Sequence, residues 1–154
     1  MTEMKLRVTP LENGTVIDHI PAGQALNVLK ILGIYKTTDV TISLLMNVSS
    51  RRSGKKDIFK VENRELKEDE VNKIALIAPG ATINIIRNCE VVEKYCVDMP
   101  DMISGVMRCP NPNCISNTDE PIKSQFLVKS KNPVVLRCLY CEQPIFENIA
   151  DYLI

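Results

Sequence analysis

Val40-Thr41-Ile42-Ser43-Leu44-Leu45-Met46-Asn47-Val48 places an apolar residue at every second position: Val40, Ile42, Leu44, Met46 and Val48. A period of two marks a strand with one buried face, and this run is the clearest element of the chain. Ser49-Ser50-Arg51-Arg52-Ser53-Gly54 follows as a polar turn ended by glycine, and Lys55 to Glu62 reads as the return strand of a hairpin. Upstream, Thr15 to Ile20 is a short strand closed by Pro21, and Ala22 to Leu32 has a near-helical apolar period that stops at Gly33. Downstream, Glu68-Asp69-Glu70 opens a second helix carrying Val71, Ile74, Ala75 and Ile77, ended by Pro79-Gly80. Lys67 stands where a small polar residue would normally accept a free amide, so the acidic first turn has to compensate. Ala81 to Arg87 and Glu90 to Val97 are two more extended segments around Asn88.

Strand, helix, strand, strand, helix, strand is the split βαβ order of a ferredoxin-like fold, here with one extra strand. The expectation is an α+β chain whose N-terminal antiparallel sheet carries both helices on one face. An amphipathic sheet with its other face uncovered commonly meets a second copy of itself, so self-association through this half is expected. Cys89 and Cys96 read as small buried hydrophobes of the last strands.

The 154 residues allow one ordinary domain or two small ones and exclude a large multidomain enzyme. Apolar residues at 45% and charged residues at 25% are those of a globular chain with a real core. Lys plus Arg and Asp plus Glu both number 19, so no global field draws the chain to nucleic acid or an anionic membrane. No apolar run reaches the roughly 18 residues that cross a bilayer, and Met1 to Lys5 lacks a signal-like apolar stretch. A cytoplasmic location without membrane contact is the expectation.

Composition changes after Asp98-Met99-Pro100-Asp101, which divides the chain into residues 1–100 and 101–154. The second part holds five prolines and two close cysteine pairs, Cys109-Pro110-Asn111-Pro112-Asn113-Cys114 and Cys138-Leu139-Tyr140-Cys141. A module of this size buries too little apolar surface to stand without a staple. Each pair can present two sulfurs from one tight loop, and the 23 residues between the pairs suffice for two antiparallel strands. The module therefore reads as a small antiparallel zinc-ribbon-like domain with Cys109, Cys114, Cys138 and Cys141 on one Zn2+, although a rubredoxin-type iron centre uses the same ligands. Four thiolates leave no open coordination position, which makes the site structural and demotes zinc-hydrolase readings.

Zinc modules often bind nucleic acid, but beyond residue 100 five Lys and Arg face six acids, which forms no phosphate track. Protein docking fits better. Asn111, Asn113 and Glu142 sit on the ligand loops, where they could meet a partner or simply satisfy loop amides. In the first part, the lone His19 follows Asp18 at a strand end, with no nucleophile motif beside it. Lys60 and Lys94 interrupt strand-like segments, where they could be solvated or could hold a compact polyanion with His19. A zinc-ribbon nucleic-acid or protein adaptor and an enzyme with chemistry at Asp18-His19 are the rival readings.

Several motifs occur together and in order: Gly14-Thr15-Val16-Ile17-Asp18-His19-Ile20-Pro21-Ala22, Lys56-Asp57-Ile58-Phe59-Lys60-Val61-Glu62-Asn63, Ala78-Pro79-Gly80-Ala81-Thr82-Ile83-Asn84, Glu90-Val91-Val92, and the cysteine segments through Ser116 and Glu142. In this combination the chain closely resembles the regulatory chain of aspartate carbamoyltransferase. The resemblance implies a non-catalytic subunit of pyrimidine biosynthesis with an allosteric nucleotide-binding domain and a zinc domain that docks on the catalytic chain. It implies inhibition by CTP, reinforced by UTP, activation by ATP, and two catalytic trimers joined by three regulatory dimers. Carried over by position, Val8, Thr9, Pro10 and Leu11 would lie against the base, and Asp18 and Lys60 on the ribose side. His19, Asn84 and Lys94 would face the phosphates, Val16 and Val91 would line the pocket, and Lys56 is a further basic candidate. Asn111, Asn113 and Glu142 would meet the catalytic chain.

Overall fold

Residues Thr15, Ile17, Phe59, Val61, Ile83 and Ile85 alternate along three neighbouring strands and are all nearly or fully buried, which sets one face of a sheet against the helices. In the computed structural model, which describes residues 11–33, 40–51, 54–118 and 122–154, that sheet has five strands. These are β1 (Gly14–Pro21), β2 (Ile42–Ser50), β3 (Gly54–Glu62), β4 (Thr82–Arg87) and β5 (Glu90–Cys96), ordered β2-β3-β1-β4-β5 with antiparallel pairing throughout. Helices α1 (Ala25–Ile31) and α2 (Glu68–Ile77) contribute Val28 and Ile74 to the same core. The ferredoxin-like order with its extra strand is thus the one observed. Val8, Thr9, Pro10 and Arg52 lie outside the described residues.

Gly14 begins β1 at φ 145°, and a β-carbon there would stand 2.2 Å from the Val61 carbonyl, so the close approach of β1 to β3 requires glycine. Two features differ from the sequence expectation. Helix α1 starts at Ala25 rather than Ala22, because the buried carboxylate of Asp57 on β3 accepts the Gly23 and Ala25 amides at 2.8 and 3.0 Å and holds the preceding residues in a turn. In β2 the alternation breaks: the register against β3 shifts between Leu45 and Val48, Asn47 has φ 60°, and its amide also donates to Asp57 at 2.8 Å. Met46 is consequently exposed at 41% instead of facing the core. For α2 the weak cap is compensated as expected, by Glu70, whose carboxylate accepts the Lys67 amide at 3.0 Å.

A second, four-stranded antiparallel sheet follows in the order β6-β7-β8-β9, from β6 (Met102–Ser104), β7 (Gln125–Lys131), β8 (Val134–Cys138) and β9 (Pro144–Ile145). Ile103, Phe126, Leu136 and Ile145 form its inner face and join one continuous core with the first sheet's helices. The C-terminal residues run back along this junction. Leu153 bridges Met107, the Ile154 amide donates to the Val106 carbonyl at 3.0 Å, and Lys73 of α2 donates to the Ile154 carbonyl at 3.1 Å. Among the described residues no helix is long and apolar enough to cross a membrane.

Candidate metal centre and ligand face

The loop after β6 presents Cys109 and Cys114, and the end of β8 with the turn that follows presents Cys138 and Cys141. The four sulfurs of Cys109, Cys114, Cys138 and Cys141 all lie within 4.8 Å of one another, with Cys109 to Cys141 at 3.7 Å and Cys114 to Cys138 at 3.6 Å. A tetrahedral Zn2+ at 2.3 Å from each sulfur sets them about 3.8 Å apart, whereas a disulfide needs about 2 Å. The geometry and the all-sulfur donor set fit one zinc ion. Bound there, the metal would fill a closed structural site that locks the two loops.

Electrostatics agree with a site completed by a cation. Burial pushes the Cys109 and Cys138 thiols well up. Cys114 is also pushed up by burial, but bonds with the Ser116 hydroxyl and amide outweigh this and leave it at about 7. Four neighbouring thiolates therefore need a divalent charge to coexist, and loading the metal must expel protons.

The asparagines of the ligand loop divide by role. The Asn111 side chain accepts the Asn113 amide at 3.0 Å and so shapes its own loop, while Asn113 and Glu142 are exposed. Glu142 adopts φ 64° as its amide closes the second loop on the Cys138 carbonyl. A residue absent from the sequence reading, Asn117, donates to the Cys109 and Asn111 carbonyls at 2.9 and 2.7 Å. The signal for it was available: Pro110 and Pro112 remove two amide donors from this loop, so a side-chain donor is needed.

On the first sheet, the face away from the helices holds a row of residues in direct cross-strand register. Ser43 pairs with Lys60, Lys60 with Val16, Val16 with Asn84, and Asn84 with Lys94. Three strand spacings, about 14 Å, separate the backbones of Lys60 and Lys94, and their long side chains flank Val16 and Asn84. Lys60 is only 6% exposed and not a solvated surface lysine. Burial holds its ammonium below the usual lysine range, offset in part by Glu62.

One step along β1, a bulge places Asp18 and His19 against a single residue of β3, and His19 takes φ 59°. The His19 amide donates to Asp18 at 2.6 Å, its ring Nδ1 lies 3.1 Å from the Thr82 hydroxyl, and Lys56 pairs with Asp18 at 2.9 Å. Burial alone would raise the Asp18 carboxyl, but the Lys56 bond and the His19 amide outweigh it and keep it below the ordinary carboxylate value. At the other end of β1, Leu11 is buried beside Gly14, and exposed Val91 stands opposite Ile86. Leu11, Val16, Asp18, His19, Lys60, Asn84, Val91 and Lys94 thus fall on or beside one helix-free face. Its centre is polar. Cys89 and Cys96, expected to be buried, are exposed, because β5 is an edge strand and Cys89 sits in the turn before it at φ 68°.

A sulfur-stapled ribbon joined to a ferredoxin-like sheet with a cationic open face defines a two-module binding protein whose metal site is structural. Comparison with known proteins makes this specific. Residues 6–98 match the family model for the allosteric domain of the aspartate carbamoyltransferase regulatory chain, and residues 101–151 match the one for its metal binding domain. The chain is 72% identical to the aspartate carbamoyltransferase regulatory chain of Methanothrix thermoacetophila over 154 residues, the whole of both chains. It is 58% identical to that of Methanoculleus marisnigri over 149 residues, 97% of this chain and 94% of the relative. It is 53% identical to that of Thermofilum pendens over 154 residues, 99% and 97% of the two chains. The chain belongs to the aspartate carbamoyltransferase regulatory chain family and is a regulatory rather than a catalytic subunit.

Proposed function

We propose that residues 1–100 bind allosteric nucleotides and that residues 101–154, locked by one zinc ion, dock on the catalytic chain of aspartate carbamoyltransferase. CTP and UTP inhibit and ATP activates, in the cytoplasm, within an assembly of two catalytic trimers and three regulatory dimers. The dimers form through the N-terminal domain. Val8, Thr9 and Leu11 take the base, Asp18 and Lys60 the ribose side, and His19, Asn84 and Lys94 the phosphates, with Val16 and Val91 lining the site. Asn111, Asn113 and Glu142 meet the catalytic chain.

The observation that carries this reading is the cross-strand row Lys60–Val16–Asn84–Lys94. It offers two ammonium groups and an amide around an apolar floor, which suits a polyanion bearing a flat base. Transmission is a linkage: the nucleotide favours one quaternary state, and coupling of this kind is typically about 1–3 kcal/mol.

The test mixes the full zinc-loaded chain with the catalytic trimer and records assembly mass, then aspartate saturation with CTP, UTP or ATP. Lys94→Ala is expected to weaken triphosphate binding about tenfold or more and to leave the free trimer's catalysis unchanged. A variant with the wild-type nucleotide response removes Lys94 from the site. A chain that neither joins the trimer nor retains a triphosphate defeats the whole reading.

A further inference from the structure

Among the described residues the outer face of the zinc module's sheet is covered by no other element and is partly exposed. Met102, Leu127, Arg137 and Pro144 pair in sequence across all four strands and form one row on this outer side. Met102 is 44% exposed and Leu139, at the end of β8, is 39% exposed. Arg137 is the only charged member of the row. Its Nε is buried yet has no hydrogen-bond partner, and none of the ion pairs among the described residues includes it.

A buried N–H without an acceptor is a standing cost, and a guanidinium framed by apolar side chains is best relieved by a carboxylate taken in the fork geometry. The same arrangement, an arginine anchor within an apolar surround, is that of energetically dominant interface residues. We propose that the outer face of β6–β9 is a docking surface for a carboxylate-bearing segment of the catalytic chain, and that Arg137 is its anchor. This inference rests on the proposed function and names the chemistry of the partner at a place distinct from Asn111, Asn113 and Glu142 on the ligand loops. Charge complementarity selects an acidic partner over a second copy of this chain, because the row of Met102, Leu127, Arg137 and Pro144 offers no carboxylate to a copy of itself.

Binding of the full zinc-loaded chain to the catalytic trimer, measured at two salt concentrations for wild type, Arg137→Met and Arg137→Lys, tests the inference. Arg137→Met is expected to lose about tenfold or more in affinity and to show a weaker salt dependence. Arg137→Lys, which keeps a charge but not the fork, should fall between. Zinc content and CTP binding by the variants should equal wild type, a result that a merely structural role would not give. If Arg137→Met loses zinc or unfolds, Arg137→Lys carries the test, and wild-type affinity in that variant overturns the anchor. Equal affinity for a folded Arg137→Met, or a change only in self-association, also overturns it. A wild-type chain that fails to join the trimer defeats the proposed function itself, so the two failures are distinguishable.

Discussion

Lys56 and Asp18 form an ion pair at 2.9 Å between β3 and the bulge of β1, and the next residue, Asp57, faces the other side of β3 to accept three backbone amides. Two adjacent residues of one strand thereby anchor both the bulge on the helix-free face of the sheet and the start of α1.

The first consequence is a pH dependence. The folded Asp18 carboxyl lies below its ordinary value of 3.8, so the unfolded chain binds the proton more readily. The pair's contribution is present above that value and is lost as pH falls through the lower folded one. The stability difference between wild type and Asp18→Asn should be constant from about pH 5 to 7 and shrink below about pH 4, as read by urea titrations. A difference that grows on acidification contradicts the pairing.

Lys60 sets function against stability. Most of its side chain is covered in the ligand-free fold and burial holds its ammonium below the usual lysine range, and partial burial of a charge is unfavourable until an anion joins it. Lys60→Met should raise the stability of the ligand-free chain by about 1 kcal/mol and weaken CTP and ATP binding about tenfold. Thermal midpoints with and without nucleotide measure both. A variant stabilised by CTP as strongly as wild type would remove Lys60 from the site.

Metal removal should be felt beyond the ribbon. A mercurial reagent is expected to unfold residues 101–154, since binding energy of this kind is folding energy. The Lys73 bond to the Ile154 carbonyl and the packing of the C-terminal residues on α2 go with it, so α2 should lose amide-exchange protection while β1, β3 and β4 keep theirs. Reloading zinc at pH 7 should release about four protons per ion, because the thiols of the unfolded, metal-free module sit near the ordinary value of about 8.5 and must all ionise to bind. Proton release near zero would contradict these thiol states.

Elements whose signal is local were readable in advance. The period of β2, the acidic start of α2 and the paired cysteines each declare themselves within ten residues. What the chain hides is non-local. Nothing near Ala22 says that Asp57, far along the sequence, will hold Gly23 and Ala25 and delay α1. The bulge at Asn47 that turns Met46 outward depends on the same carboxylate. Cys96 is exposed because β5 takes the sheet's edge, a fact of topology. The motifs singled out Lys60, Val16, Asn84 and Lys94 one by one, but the single row they form depends on the register of four strands.

The two halves of the thiolate cage come from loops on either side of the β7–β8 hairpin, with Cys114 and Cys138 separated by 24 positions. During synthesis the growing polypeptide can therefore hold at most three of the four donors until Cys141 clears the ribosome. A message broken before that codon yields a ribbon with an incomplete donor set, which lacks the closed coordination that locks its two loops.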